Sequence, residues 1–299
     1  AEDGIRDLVR SRGLGDVYKR QLLASIVVSG AAVRLTGSGL GCSDWPNCEP
    51  GQLIPAADIH AWVEFGNRLV TGLVSVAVVL AVLGSLRRVP RNSTLTKWSI
   101  GLVVGVIAQI ILGAITVMSH LSPPIVMGHF LLSMVLVWNA VVLVARADPV
   151  NLTRGAVRVS KSIKAHAQLI AAFTMVVIFT GTVVTASGPH GGDEHVERLN
   201  FSFPEVARIH GAAVIVLVVL TSSLMFRVRR TNADGFRRRV LILLVITLSQ
   251  AAIGYTQYFT KLPVLLVAFH IAGATLLWIA TVRLLLSSQT SFPKAGLHE

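Results

Sequence analysis

Residues Gln250–His270 read QAAIGYTQYFTKLPVLLVAFH. Shifted back by 141 positions, this stretch overlies Gln109–His129, QIILGAITVMSHLSPPIVMGH. Gln250 falls on Gln109, Gly254 on Gly113 and His270 on His129, and the same shift sets Glu205 on Glu64. Rare polar residues that match without a gap inside apolar sequence mark an internal repeat. Whatever His270 does in one half then has a counterpart in the other.

The class follows from composition. Of 299 residues, 53% are hydrophobic and 14% are charged, where a soluble chain carries about 25% charged residues. Eight apolar segments run at 22–36, 63–86, 98–118, 124–145, 165–186, 205–226, 239–259 and 263–286. Most approach the ~20 residues that cross ~30 Å of hydrocarbon. The expected fold is an all-α integral membrane protein, with eight transmembrane helices forming two parallel-repeat four-helix bundles. An even number of helices per unit inserts both units the same way round, so the pseudo-two-fold axis runs along the membrane normal. Helix one also echoes helix five: GAAVRLTG (Gly30–Gly37) resembles GTVVTASG (Gly181–Gly188) at a shift of 151.

This gives a domain plan. Residues 22–145 are the N-terminal half, with a long loop at 37–62; 146–164 are a linker; 165–286 are the C-terminal half; 287–299 are a tail. Residues 1–21 are polar, and RGLGDVYKRQ (Arg12–Gln21) resembles translated adapter sequence, so they are expected to be non-native and are set aside. A genuine basic tail is the other reading.

The net charge of +12 does not indicate a nucleic-acid partner, because the basic residues sit in short loops between apolar runs. Loops 87–97, 146–164 and 227–238 and the C-terminal tail are basic. The opposite loops and helix ends hold only Arg34, Arg68, Arg198, Arg208 and Lys261, and are rich in acids. Positive-inside logic places both termini in the cytoplasm and the cysteine-bearing loop on the outer face of a plasma membrane.

Four clusters of ionisable or ligand-type residues lie at or just inside the outer helix ends. Glu64, Asn67 and Arg68 open helix two; His129 is in helix four; Glu205, Arg208 and His210 open helix six; His270 is in helix eight. Ionisable groups at that depth are costly and read as functional by default. Paired, buried, neutral histidines in an apolar four-helix interior suit haem iron. A hydrogen bond to a neighbouring helix is the plainer account of any one of them. A two-residue gap sets IHGAAV on GNRLVT, so His210 overlies Asn67. An amide is a poor iron ligand. The expected pair is therefore a closed bis-histidine site in the second half and an open, reactive one in the first. Glu64 and Glu205 also suit helix N-termini as negative charges. His60, His120, His190, His195 and His298 fall in loops or at helix ends and are expected in solvent.

The loop from Thr36 to Pro55, TGSGLGCSDWPNCEPGQLIP, places Cys42 and Cys48 six apart on the oxidising side. A structural bridge, a redox-active bridge and free thiols all remain open. The small ring caps its entropic stabilisation at ~2–3 kcal/mol.

GSGLGCSDWPNC, then VEFGNRLVTG in helix two, GHF in helix four, IHGA in helix six and AFH in helix eight, resembles the haem A synthase family over about residues 22–286. That resemblance implies an oxidoreductase that converts the C8 methyl of haem O to a formyl group, by two hydroxylations and a dehydration. It implies a haem b cofactor between His210 and His270, and substrate haem O held in the first half by His129, with Glu64 near the reacting methyl. Arg68 and Arg208 are expected to meet haem propionates or neighbouring carboxylates. Asn67 departs from a family histidine at this position. The loop GPHGGDEHVERLNF lacks the second cysteine pair that many members carry. Implied partners are a haem O synthase (a farnesyltransferase), an electron donor that the sequence does not name, membrane lipid and, as an open question, further copies of the chain. The rival readings are a di-haem membrane cytochrome b and a parallel-repeat small-molecule transporter.

Overall fold

The computed structural model describes residues 26–55, 57–87, 89, 91–147, 159–231 and 233–289. Residues 1–21, much of the 146–164 linker and most of the 287–299 tail, with His298, lie outside the described residues. Eight helices and no strands form among the described residues. They are α1 (Ile26–Leu35), α2 (Ile59–Leu86), α3 (Ser93–Met118), α4 (Pro123–Ala147), α5 (Lys161–Ser187), α6 (Phe203–Val228), α7 (Asp234–Phe259) and α8 (Val264–Gln289). The seven helices from α2 to α8 are long and apolar enough to cross a membrane.

Most helices begin a turn or more before their apolar run, because polar residues there serve as caps. Asp58 accepts from Ala61 N, Asn92 from Thr94 N and Leu95 N, and Ser160 Oγ from Ile163 N. Inside the spans, threonines satisfy their own hydroxyls. Thr174, Thr221, Thr247 and Thr281 each donate to the carbonyl four residues back.

The outward faces confirm the solvent. Leu69, Leu73, Val76 and Leu80 line one side of α2 with 56–64% of each exposed. An apolar stripe of that kind is at home only against lipid.

Helices α5, α6, α7 and α8 pack as a ring, each against its neighbours and α8 back onto α5. Their common core holds Ile170, Leu217, Leu224, Phe236, Val240 and Leu284. In the first half α2 packs on α3 and α3 on α4, around Val74, Val78, Leu102, Val106 and Leu136. Gly105 lets Leu136 approach the α3 backbone, the small-residue contact usual between membrane helices. A third cluster joins the two sets through α1, α4, α5 and α8: Val27, Met134, Val137, Val141, Ile178, Trp278 and Val282. Trp278 Nε1 donates to the Met134 carbonyl at 2.8 Å across that seam.

The α3–α4 and α7–α8 turns are built alike. His120 and Leu121 have φ of 50° and 59°, and Lys261 and Leu262, 141 positions later, have 62° and 59°. Two successive non-glycine residues in left-handed conformation are uncommon. In both turns the second of them donates its N–H five residues back, Leu121 to Thr116 at 2.9 Å and Leu262 to Gln257 at 2.7 Å.

Candidate functional site

At the mouth of α2, Cys42 and Cys48 form a disulfide, and both are fully buried. Glu64, 5% exposed, lies directly beneath. Its Oε2 accepts from Cys42 N at 2.7 Å, and its Oε1 from Arg68 Nη2 at 2.7 Å. Arg68 is one turn further along the same helix. Its Nη1 donates to the Asn47 carbonyl at 2.7 Å and to the Asp44 carbonyl at 3.1 Å. A carboxylate and a guanidinium thus bolt the cysteine ring to the helix. Of the two partners expected for Arg68, the structure supplies the carboxylate. Glu205 and Arg208 on α6 are exposed and make no ion pair among the described residues. A charge favoured by the helix N-terminus accounts for Glu205.

His210 and His270 come from α6 and α8, which do not pack on each other directly. Their rings meet across the gap with centroids 6.4 Å apart and planes at 85°. Thr180 Oγ1 is 3.0 Å from His210 Nδ1. The threonine hydroxyl lies 2.9 Å from the Val176 carbonyl, to which it gives its proton, so Oγ1 accepts and His210 Nδ1 carries the hydrogen. Nε2 of His210 is then the nitrogen with the free lone pair. Glycines make room for both rings: a Cβ on Gly181 would meet His210 Cε1 at 3.2 Å, and one on Gly254 would meet His270 Cε1 at 3.3 Å.

His129 repeats half of this arrangement. It is the seventh residue of α4, as His270 is of α8. A Cβ on Gly113 would meet His129 Cε1 at 3.4 Å. Nδ1 of both His129 and His270 is buried without a hydrogen-bond partner. Gln109 Nε2 donates to the His129 carbonyl at 3.2 Å and also bonds Ser133 Oγ, which fixes the helix backbone at that residue. Asn67 is half-buried, and its Oδ1 lies 2.8 Å from Ser29 Oγ of α1.

These residues fit a haem. A buried polar atom without a partner costs about 1–3 kcal/mol, which applies to Nδ1 of His129 and His270; no hydrogen bond engages Nε2 of His129, His210 or His270 among the described residues. Two imidazoles that share one metal at about 2 Å each stand with ring centres about 6 Å apart, close to the 6.4 Å found. The hydroxyl on His210 Nδ1 is the kind of hydrogen-bond partner that a metal-bound histidine usually has on its other ring nitrogen, where it fixes tautomer and ring orientation.

The remaining histidines divide. His60 is exposed, its Nδ1 3.0 Å from Ser38 Oγ, and His120 and His195 are exposed. His190 corrects the expectation of a solvated side chain: it is half-buried, with Nε2 2.9 Å from the Leu262 carbonyl, and braces the α7–α8 turn. Sequence reasoning passed over Ser29 and Thr180. They stand immediately before the 151-residue echo of α1 and α5, and extending the match by one position would have found two hydroxyls at matched places.

Residues 20–189 match the cytochrome oxidase assembly protein family, COX15-CtaA. The chain is also 30% identical over 253 residues to a heme A synthase of Shouchella clausii, covering 79% of this chain and 82% of that protein. The chain belongs to this family. Within the cytochrome oxidase assembly family it is likewise 30% identical over 177 residues to a heme A synthase of Bacillus licheniformis, 58% of each chain. To a heme A synthase of Geobacillus kaustophilus it is 32% identical over 105 residues, 32% of that protein. The segment matched to the family holds the cysteine ring, Glu64, Asn67, Arg68 and His129, while His210 and His270 lie beyond it.

Proposed function

We propose that this protein is a haem A synthase, oxidising the C8 methyl of haem O to a formyl group through two hydroxylations and a dehydration. The observation that carries this reading is the unequal equipment of the halves. One offers two imidazoles with centroids 6.4 Å apart. The other offers a single buried imidazole, His129, and an amide at the matched place.

His210 and His270 hold haem b from α6 and α8, with Thr180 keeping the His210 proton on Nδ1 so that Nε2 points its lone pair inward. When bound, haem b supplies single electrons to the reacting haem. His129 binds the iron of substrate haem O. Glu64 keeps a negative charge at the mouth of that site. Each of its oxygens has a lone pair beyond the one hydrogen bond it accepts, so it can still take the O–H proton of a hydroxyl on the oxidised carbon in the dehydration. The cysteine ring, held by Arg68, lids the site and excludes water.

In this reading residues 22–145 form the substrate half and 165–286 the haem b half, related by a two-fold pseudo-axis along the membrane normal. The central cluster supports it. Val27 and Ile178 are 151 apart, and Val137 and Trp278, like Val141 and Val282, are 141 apart; each pair meets in one core. Matched residues that share one core gather near a two-fold axis. Both termini face the cytoplasm of a plasma membrane and the cysteine loop faces out. Haem O reaches the site from a haem O synthase, and an electron donor serves haem b.

The test is co-expression with a haem O synthase in a host that makes no haem A, followed by extraction and chromatography of the haems. Hydroxylated haem O and haem A are expected. Unchanged haem O from cells with correctly inserted protein refutes the assignment.

A further inference from the structure

The shift that sets Gly30 on Gly181 also sets Ser29 on Thr180. These two hydroxyls meet matched residues in the two halves with the roles reversed: Thr180 Oγ1 accepts from His210 Nδ1 at 3.0 Å, and Ser29 Oγ donates to Asn67 Oδ1 at 2.8 Å. Asn67 therefore takes the place of His210 by its bonding as well as by alignment. What differs is the neighbouring glycine. A Cβ on Gly181 would meet the His210 ring at 3.2 Å, whereas a Cβ on Gly30 would meet nothing within 4 Å among the described residues. Both glycines are half-buried. An amide is shorter than an imidazole, and the room that the ring fills in the second half stays open beside Gly30.

We infer that this room, beside Gly30, Ser29 and Asn67, binds one small neutral nitrogen or oxygen donor, imidazole-sized or smaller, which would serve the iron of the substrate haem. The inference rests on the proposed reading that His129 holds that haem. Three features set the ligand class. The group beside the matched glycine in the second half is a single five-membered ring, that of His210. The charges one turn away, Glu64 and Arg68, are bonded to each other at 2.7 Å and favour neither a cation nor an anion. Asn67 has a donor and an acceptor on one amide, so it satisfies either water or an azole whose second nitrogen bears a proton. The amide itself is a weak ligand already engaged by Ser29. The first half thus offers one strong protein ligand to a haem iron, where the second offers two. Ser29 acts as a positioning residue that holds the amide back against α1.

The experiment uses the full chain in detergent with its resident haem b, loaded with haem O and titrated with imidazole. Absorbance and electron paramagnetic resonance are read together. A high-spin signal is expected from the first site, lost in His129→Ala. Imidazole should convert it to low-spin while the His210/His270 signal stays unchanged. Asn67→His should give that low-spin state with no imidazole added. Gly30→Leu fills the room and should keep the high-spin signal, with half-saturating imidazole raised about tenfold or more; Gly30→Val serves if leucine blocks insertion. A high-spin haem that ignores imidazole, or a Gly30 variant that binds it as the parent does, overturns the inference and leaves the proposed function standing. No second haem-loaded site at all overturns both.

Discussion

Glu64 accepts the Cys42 backbone N–H at 2.7 Å, and so joins α2 to the cysteine ring through one buried carboxylate. Its other oxygen holds Arg68, which in turn holds the ring's carbonyls at Asp44 and Asn47. The residue that sequence reasoning places beside the reacting methyl is therefore also the residue that seats the lid. Structure and chemistry share one side chain here, and a single substitution disturbs both.

Glu64→Gln tests that sharing. Glutamine keeps the shape but leaves Arg68 without its counter-charge, and one of its two polar atoms can no longer accept from Cys42 N. Removing one partner of a buried ion pair costs about 3–5 kcal/mol. We expect lost haem O conversion together with faster protease cleavage in residues 43–54 of the folded protein. Lost conversion with an unchanged cleavage rate would confine Glu64 to chemistry.

The ring itself gives a second prediction. Cys42 and Cys48 are both fully buried under the loop. In the folded protein at neutral pH, a thiol-specific mass tag should add nothing, and after denaturation with reductant it should add twice. Cys42→Ser with Cys48→Ser should lower the melting temperature by an amount matching at most ~2–3 kcal/mol, as befits so short a loop. A larger loss would mean that the ring carries Arg68 and Glu64 with it.

Much of this was legible in the sequence, and the limits have physical causes. Helix number and length follow from apolar runs, because lipid forces every backbone group to bond within its own helix. The matched turns at Leu121 and Leu262 were foreshadowed by the 141-residue shift. The pairing of His210 with His270 followed from residue type and depth. The bond from Glu64 to Cys42 did not, because a main-chain N–H in an irregular loop leaves no mark in residue identity. The same holds for His190, whose partner is the Leu262 carbonyl. Ser29 and Thr180 were missed because hydroxyls in membrane helices usually bond their own backbone, and only the matched spacing separates these two from the rest.

Thr180→Val should weaken the bis-histidine site without emptying it. Valine fills the same volume but cannot accept from His210 Nδ1, so the ring is free to turn and to change tautomer. Loss of such a hydrogen-bond partner typically costs 10–100-fold in metal affinity, so a fall of about that size in haem b retention is expected. Thr180→Ser should restore it. A valine variant with unchanged haem b content after washing, and with an unchanged low-spin spectrum, would show that packing alone orients the ring.

His129→Ala and His270→Ala should fail differently, although the two residues match across the repeat, sit seventh in their helices and each leave Nδ1 unpartnered. His270→Ala removes one of two imidazoles that stand 6.4 Å apart. The remaining His210 cannot span that gap alone, so the purified protein should lose its low-spin haem b spectrum. His129→Ala leaves that pair intact. It should keep haem b at the parent's level and lose conversion of haem O, with haem O recovered unchanged in the extract. The two variants separate the halves because each histidine serves one haem. If His129→Ala lost haem b, or His270→Ala kept the low-spin spectrum, the assignment of resident and reacting haem to the two halves would have to be exchanged.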